Sequence, residues 1–309
     1  MRVVFMGSPD FAVPSLRWLA SAYEVVGVVT QPDRPAGRGR RLVPPPIKRA
    51  AVELGLDILQ PQRLREPGAT EAVGAWQPEL IVVAAFGQIL RPDILQLPSH
   101  GCVNLHASLL PRHRGAAPIP AAILAGDSET GITLMRMDEG LDTGPILAQE
   151  RLTISAEETA LSLGEKLSEL AKQTAERHLP QYLAGKLPPS QQDDALATYA
   201  PMLRKDDSRM DLAQPAEALA QRVRAYYPWP GTHILWERVP LKITRARALR
   251  QVNGAAGPVG RVVRQGTGAA VTCGVGELLL LEVQPPGKKP MTMEAFLNGS
   301  PDFLDAVLD

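Results

Sequence analysis

Short apolar runs alternate with stretches of helical periodicity through the first half of the chain. Residues 3–6 are continuously apolar and rich in β-formers, and residues 11–22 then repeat apolar positions at helical spacing. A second strand is predicted over 24–30, a helix over 47–54 and a short strand near 57–59. Residues 80–86 are almost uninterruptedly apolar, as strands buried on both faces are, and 101–105 follows as the next strand. Alternation of this kind predicts an α/β fold, a doubly wound and mostly parallel sheet with crossover helices.

The pattern changes in the second half. Leu161, Leu163, Leu167, Leu170, Ala171 and Leu179 recur at helical spacing and predict a long amphipathic helix over 156–184. Pro188-Pro189-Ser190-Gln191-Gln192-Asp193 reads as a linker. A helix over 215–226 then precedes short runs at 231–236, 239–245, 257–264, 269–273 and 277–283, punctuated by glycine and proline. These predict a small antiparallel β-barrel. The expected division is a first domain over 1–189, a linker over 190–207 and a second domain over 208–309, which suits a chain of 309 residues.

Composition narrows the class. With 45% hydrophobic and 21% charged residues, a globular protein with a sizeable core is expected. Cys102 and Cys273 are far apart, so neither a disulfide framework nor a Cys-rich metal site is expected, and a cytoplasmic location fits. The N-terminus opens on a strand pattern without the features of a signal peptide. No apolar run approaches the roughly 20 residues of a membrane span. Lys plus Arg equals Asp plus Glu at 33 each, but the charge is segregated. Between Arg209 and Lys289 twelve Lys/Arg stand against five Asp/Glu, a footprint for a polyanion.

The candidate chemistry lies between Cys102 and Pro118. Asn104 and His106, at i and i+2 of a strand, project to one face, while Leu105 points to the core. An amide donor beside an imidazole is what transfer at a carbonyl carbon requires, one group for the oxyanion and one for a proton. Downstream, Asp138, Glu139 and Asp142 sit on a glycine-bearing loop that can fold back on the histidine, and their spacing does not choose among them. His113, between Arg112 and Arg114, reads as a surface or phosphate-side residue. Gly7-Ser8-Pro9-Asp10 lacks the glycine spacing of a dinucleotide turn. The segment from Gln31 to Arg49 carries six basic residues and one acid, and its glycines and prolines argue against a regular element. Such a loop is either solvated surface or a phosphate-contacting segment, for which its arginines are suited. Tyr226-Tyr227-Pro228-Trp229-Pro230 reads as a packing hinge, with a base-stacking platform as the alternative.

Asn104-Leu105-His106, Ser108-Leu-Leu-Pro111, Arg114-Gly-Ala-Ala-Pro118 and Met137-Asp-Glu-Gly-Leu-Asp142-Thr-Gly144 resemble the 10-formyltetrahydrofolate-dependent formyltransferases. Met6–Phe11, Thr30–Gly39, Tyr226–Pro230 and Gln284–Pro290 are similar to the branch that acts on methionyl-tRNA, and the likeness runs over essentially the whole chain. Ser8, Phe86 and Tyr227 stand where threonine, tyrosine and asparagine are common. The resemblance implies a Rossmann-like formyltransferase domain followed by an OB-like barrel. It also implies transfer of formyl from 10-formyltetrahydrofolate to the α-amino group of initiator methionyl-tRNA. It assigns Asn104, His106 and Asp142 to catalysis. Phe86, Gly87, Gln88, Ile89, Leu90, Ser108, Leu109, Leu110, Pro111 and Asp138 would line the folate pocket. Arg34, Arg38, Arg40, Arg41, Lys48, Lys288 and Lys289 would meet tRNA. No metal is implied, and a monomer is expected. Formyl transfer to a small amine, hydrolysis of the formyl donor, or a tRNA-binding module without catalysis are the competing readings. The first would not need the basic loop or barrel, the second would keep the Asn-His-Asp set with water as the nucleophile, and the intact Asn104, His106 and Asp142 argue against the third.

Overall fold

The structure, a computed structural model, describes residues 1–36, 41–249 and 257–308. The chain divides into two compact units. The first comprises residues 1–118, 129–153 and 164–201, and the second 119–128, 154–163 and 202–309.

In the first unit β1 (Arg2–Gly7), α1 (Val13–Ala22) and β2 (Glu24–Val29) follow the apolar pattern closely. β1 is buried from Val3 onward, and α1 turns Leu16 and Leu19 inward, one helical turn apart. Next come β3 (Arg34–Ala36), β4 (Arg41–Val43), α2 (Pro46–Glu53), β5 (Ile58–Leu59) and α3 (Ala69–Ala75). β3 and β4 pair antiparallel as a separate ribbon, so residues 34–36 and 41–43 of the basic segment are regular, contrary to expectation. Pro35 fits there because each strand has a single neighbour, where a missing N–H is tolerated. Arg38 and Arg40 lie outside the described residues.

The run at 80–86 yields β6 (Leu80–Ala84), fully buried. It stops early because Ala85 and Gly87 turn to positive φ, 47° and 78°. After α4 (Pro92–Leu95) comes β7 (Cys102–His106), one residue later than expected. β8 (Arg114–Gly115), α5 (Pro118–Leu124), β9 (Glu129–Arg136) and β10 (Ile146–Thr153) follow. The predicted long helix is α6 (Ala160–Leu183). Leu163, Leu167, Ala171, Ala175 and Leu179, spaced by four, are its buried stripe. β11 (Tyr199–Ala200) pairs with β8.

The central sheet has the order β10-β9-β7-β6-β1-β2-β5. β7, β6, β1, β2 and β5 run parallel, and β9 and β10 add two antiparallel strands at one edge. The strand order reverses at β1, and ligands of such sheets bind outside the carboxyl ends at that reversal. Three strand-end loops are stitched together there. Ser8 Oγ donates to the Phe86 carbonyl at 3.3 Å and accepts from Gln31 N–H at 3.2 Å, and Gln31 Nε2 donates to the same carbonyl at 3.2 Å.

The second unit carries α7 (Ala216–Ala225), β12 (Thr232–Trp236), β13 (Val239–Leu249), β14 (Val262–Gln265), β15 (Gly268–Thr272), β16 (Glu277–Gln284), β17 (Met291–Thr292) and α8 (Met293–Gly299). All strand pairs are antiparallel, in the order β12-β13-β16-β15-β14, with β17 on β16. The run at 257–264 becomes a strand only at Val262. Pro258 lacks an N–H, and Gly260 takes φ 87°. Trp236, Phe296 and Phe303 meet edge to face with centroids 5.2–5.8 Å apart, in the core cluster that also holds Leu278 and Leu280. Phe303 is fully buried. Phe303→Ala should therefore destabilise this unit by about 3–5 kcal/mol. Denaturant unfolding followed by tryptophan fluorescence measures it, and a loss below about 1 kcal/mol would contradict the packing described.

Candidate active site

β7 pairs with β6 on one side and β9 on the other, with Asn104 opposite Met135 and His106 opposite Thr133. Asn104 and His106 share a face, as the i, i+2 spacing requires. Both are nearly buried, at 8% and 6% exposure, and Leu105 lies in the core. No hydrogen bond to the Asn104 carboxamide exists among the described residues, so its donors are open at the strand end.

His106 is differently placed. Its Nε2 lies 3.0 Å from the carbonyl of His113. A carbonyl only accepts, so Nε2 carries a proton. Nδ1 then faces Asp142 Oδ2 at 3.6 Å, an ion-pair distance beyond hydrogen-bond range. Of the three candidate carboxylates Asp142 is the one brought to the imidazole. Asp138 turns back on its own loop, accepting from Gly140 N–H at 3.0 Å and Thr143 Oγ1 at 2.8 Å. Glu139 is exposed.

The loop after β7 returns on itself to deliver the His113 carbonyl. Thr133 Oγ1 on β9 donates to the Ser108 carbonyl at 2.6 Å and accepts from Leu110 N–H at 3.1 Å. Ser108 Oγ donates to the Arg112 carbonyl at 2.6 Å. His113 itself is 6% exposed, which corrects its expected surface position. Its N–H donates to Thr198 Oγ1 at 2.9 Å, and the pairing of β8 with β11 covers the turn. Its neighbour Arg114 is itself buried at 1% exposure, so a flanking arginine does not mark surface here.

Asp142 Oδ2 accepts from Gly115 N–H at 2.8 Å. Gln192 Nε2 donates to the Asp142 and Gly144 carbonyls at 2.8 and 2.7 Å. The stretch expected as linker thus reaches this loop. Ser190 also exchanges backbone bonds of 2.8 Å with Ile146. Neither Gln192 nor Thr198 stands out in sequence, since one polar residue among the polar run 190–194 and a single threonine in 195–200 carry no periodic signal.

The other expected site residues spread over several settings. Phe86 and Leu90 are buried with the core around Val83, and Ile89 is exposed at 74%. Gln88 Oε1 accepts from Leu64 N–H at 2.7 Å. Ser108 and Leu110 are buried, and Leu109 and Pro111 are half-buried. Arg34 donates to Gln31 Oε1 at 3.0 Å, and Lys48 grips both oxygens of Asp33 at 2.8 Å. That ammonium holds the Asp33 carboxyl below its ordinary range. Arg41, Lys288 and Lys289 are exposed, the last two in a turn of the second unit. In the 226–230 motif Tyr226 is packed beneath the Arg222 guanidinium, 5.2 Å from its ring centre, whereas Tyr227 and Trp229 are exposed at 37% and 56%. Burial pushes the Cys102 thiol up to about 12, so it is no nucleophile despite lying two residues from Asn104. Among the described residues no cluster of His, Cys, Asp and Glu suits a metal, and no helix is long and apolar enough to cross a membrane.

An open amide donor beside an imidazole with one fixed proton is the equipment of a group-transfer enzyme working at a carbonyl carbon, and the doubly wound sheet presents it at the strand ends. Residues 1–179 match the formyl transferase family, and residues 202–301 match the formyl transferase C-terminal domain. The methionyl-tRNA formyltransferase of Myxococcus xanthus (strain DK1622) is 48% identical over 299 residues, covering 96% of this chain and 95% of that protein. That of Halorhodospira halophila (strain DSM 244 / SL1) is 50% identical over 302 residues, covering 96% of both. The solved structure of WlaRD, a sugar 3N-formyl transferase, is similar with a TM-score of 0.67 at 17% identity, over 94% of this chain and 99% of that one. The chain belongs to the formyl transferase family, and within it to the methionyl-tRNA formyltransferases.

Gly144 lets the loop carrying Asp142 lie against β9, where any Cβ would strike the Arg136 carbonyl. Gly144→Ala should lower kcat at least about tenfold and stability by about 1–3 kcal/mol. Steady-state kinetics with thermal unfolding checks this, and unchanged kcat would show that the loop's approach to β9 does not matter.

Proposed function

We propose that Asn104, His106 and Asp142 carry formyl transfer from 10-formyltetrahydrofolate to the α-amino group of initiator methionyl-tRNA. The observation that carries this reading is the juxtaposition of an open Asn104 carboxamide with His106 and Asp142 at the strand ends. The relatives at 48% and 50% identity, named for methionyl-tRNA, supply the acceptor. The donor follows from the formyl transferase family match and from WlaRD, whose structure was determined in the presence of 5-N-formyl-THF.

A free α-amine titrates near 7.7–8.0, about a unit above neutrality, and esterification lowers this further, so the nucleophile is largely neutral at pH 7. Its attack on the formyl carbon places negative charge on the formyl oxygen. Asn104 donates to that oxygen. Because Nε2–H is committed to the His113 carbonyl, His106 takes the amine's proton at Nδ1. The imidazolium then faces the Asp142 carboxylate, which stabilises it. The same proton is returned to the leaving nitrogen of the donor, so the site ends as it began.

Residues 1–189 form the catalytic domain in this reading, the stretch 190–201 completes it through the bonds of Ser190, Gln192 and Thr198, and 208–309 form the tRNA-binding domain. The excess of Lys/Arg between Arg209 and Lys289 supports that assignment. Arg34, Arg38, Arg40, Arg41 and Lys48 meet the acceptor end. Two buried free cysteines suit the cytoplasm.

Labelled formyl should pass from 10-formyltetrahydrofolate to charged initiator methionyl-tRNA and not to uncharged tRNA. Asn104→Ala and His106→Ala should each lower kcat by about 10²-fold or more in a folded protein. Near-normal rates would remove the assigned roles, and donor turnover without labelled tRNA would point to water or a small amine as acceptor. Lys288→Ala with Lys289→Ala should weaken tRNA binding and reduce its salt slope by about one for each phosphate no longer neutralised. An unchanged slope would return that turn to plain solvent exposure.

A further inference from the structure

Asp142 adopts φ 54°, in the left-handed region that a non-glycine residue occupies only where its surroundings hold it. Two sets of contacts do so. Gly115 N–H fixes the carboxylate, and Gln192 fixes the backbone. Gln192 Nε2 donates to the carbonyls of both Asp142 and Gly144, so one carboxamide pins the turn on either side of Thr143 and commits both of its protons.

The orientation of that carboxamide is itself dictated. Gln192 Oε1 accepts from Arg114 Nε at 3.0 Å and Nη2 at 2.8 Å. A guanidinium has no acceptor, so Oε1 must face it and Nε2 must face the carbonyls. Arg114 is fully buried, and its Nη2 also donates to Asp194 at 2.8 Å. Gly115, whose N–H holds the Asp142 carboxylate, is the next residue in the chain. One buried cation therefore sits behind both grips on Asp142.

We propose that Gln192, oriented by Arg114, is a positioning residue that sets the Asp142 carboxylate against His106 Nδ1. The proposal rests on the reading of Asp142 as the partner of the His106 imidazolium. Gln192 touches neither reacting group and acts through the backbone of Asp142. Without its two donors the turn relaxes toward right-handed φ and carries the carboxylate away, and a displacement of about 1 Å costs on the order of 10²-fold in rate.

The test is a double-mutant cycle. Gln192→Leu and Gln192→Glu are each made in the native and the Asp142→Asn backgrounds, with kcat, both KM values and the pH dependence of kcat measured. Gln192→Leu keeps the volume and removes the donors. It should lower kcat about ten- to hundredfold with each KM changed by less than about threefold, and should shift the pH limb of kcat. Gln192→Glu keeps the bond to Arg114 but turns an oxygen on the two carbonyls, and should lose as much. In the Asp142→Asn background either change should cost less than about threefold more, because the group being positioned is already gone. Full additivity, or native kcat in Gln192→Leu, overturns the positioning role while leaving Asp142 in place. Native kcat in Asp142→Asn alone overturns the reading of Asp142 and the proposal with it. If thermal unfolding shows that Gln192→Leu does not fold, Gln192→Glu, which pairs its charge with Arg114, decides the matter on the same criteria.

Discussion

His106 commits its Nε2 proton to the backbone carbonyl of His113, and the geometry of the site follows from that one bond. A buried imidazole with one nitrogen so fixed has a single nitrogen left uncommitted, Nδ1. That nitrogen faces Asp142 across 3.6 Å. Whatever holds Asp142 then sets where its carboxylate stands against the imidazole. The requirement spreads outward: Gly144 admits the loop to β9, Gly115 N–H holds the carboxylate, and Gln192 holds the carbonyl.

The sheet explains why these parts meet where they do. Parallel strands deliver their carboxyl ends to one edge, so the turns after β1, β6 and β7 converge without special design. Hydrogen bonds among Ser8, Gln31 and Phe86 tie the loops after β1, β2 and β6 there. β9 then runs back beside β7, setting Thr133 opposite His106, and Thr133 anchors the loop that returns His113. The antiparallel edge of the sheet is thus part of the scaffold that positions His106.

How much of this the chain displays in advance varies by residue. Asn104 and His106 are legible because a strand's period is two and the run around them is apolar. The buried stripe of α6 is legible because leucines and alanines recur every four residues. His113 is not, since a histidine between two arginines has the local look of surface, and only the fold shows Arg114 pairing with Gln192 and Asp194 from a buried position. The ribbon of β3 and β4 is hidden because prolines and glycines mask a pairing that each strand satisfies on one side only. Gln192 is hidden because its role lies in hydrogen bonds to residues some 50 positions away in sequence.

Periodicity, an apolar core and local turn chemistry act between neighbours in the chain, so the sequence by itself determined the order of elements, the mostly parallel sheet, the second β domain and the Asn104–His106 pair. Tertiary structure decided which of three carboxylates reaches His106, which ring nitrogen keeps its proton, and which polar residues stand behind the site. Those depend on satisfying buried donors and acceptors across long separations, and a hydrogen bond between distant residues leaves no pattern in the sequence around either one.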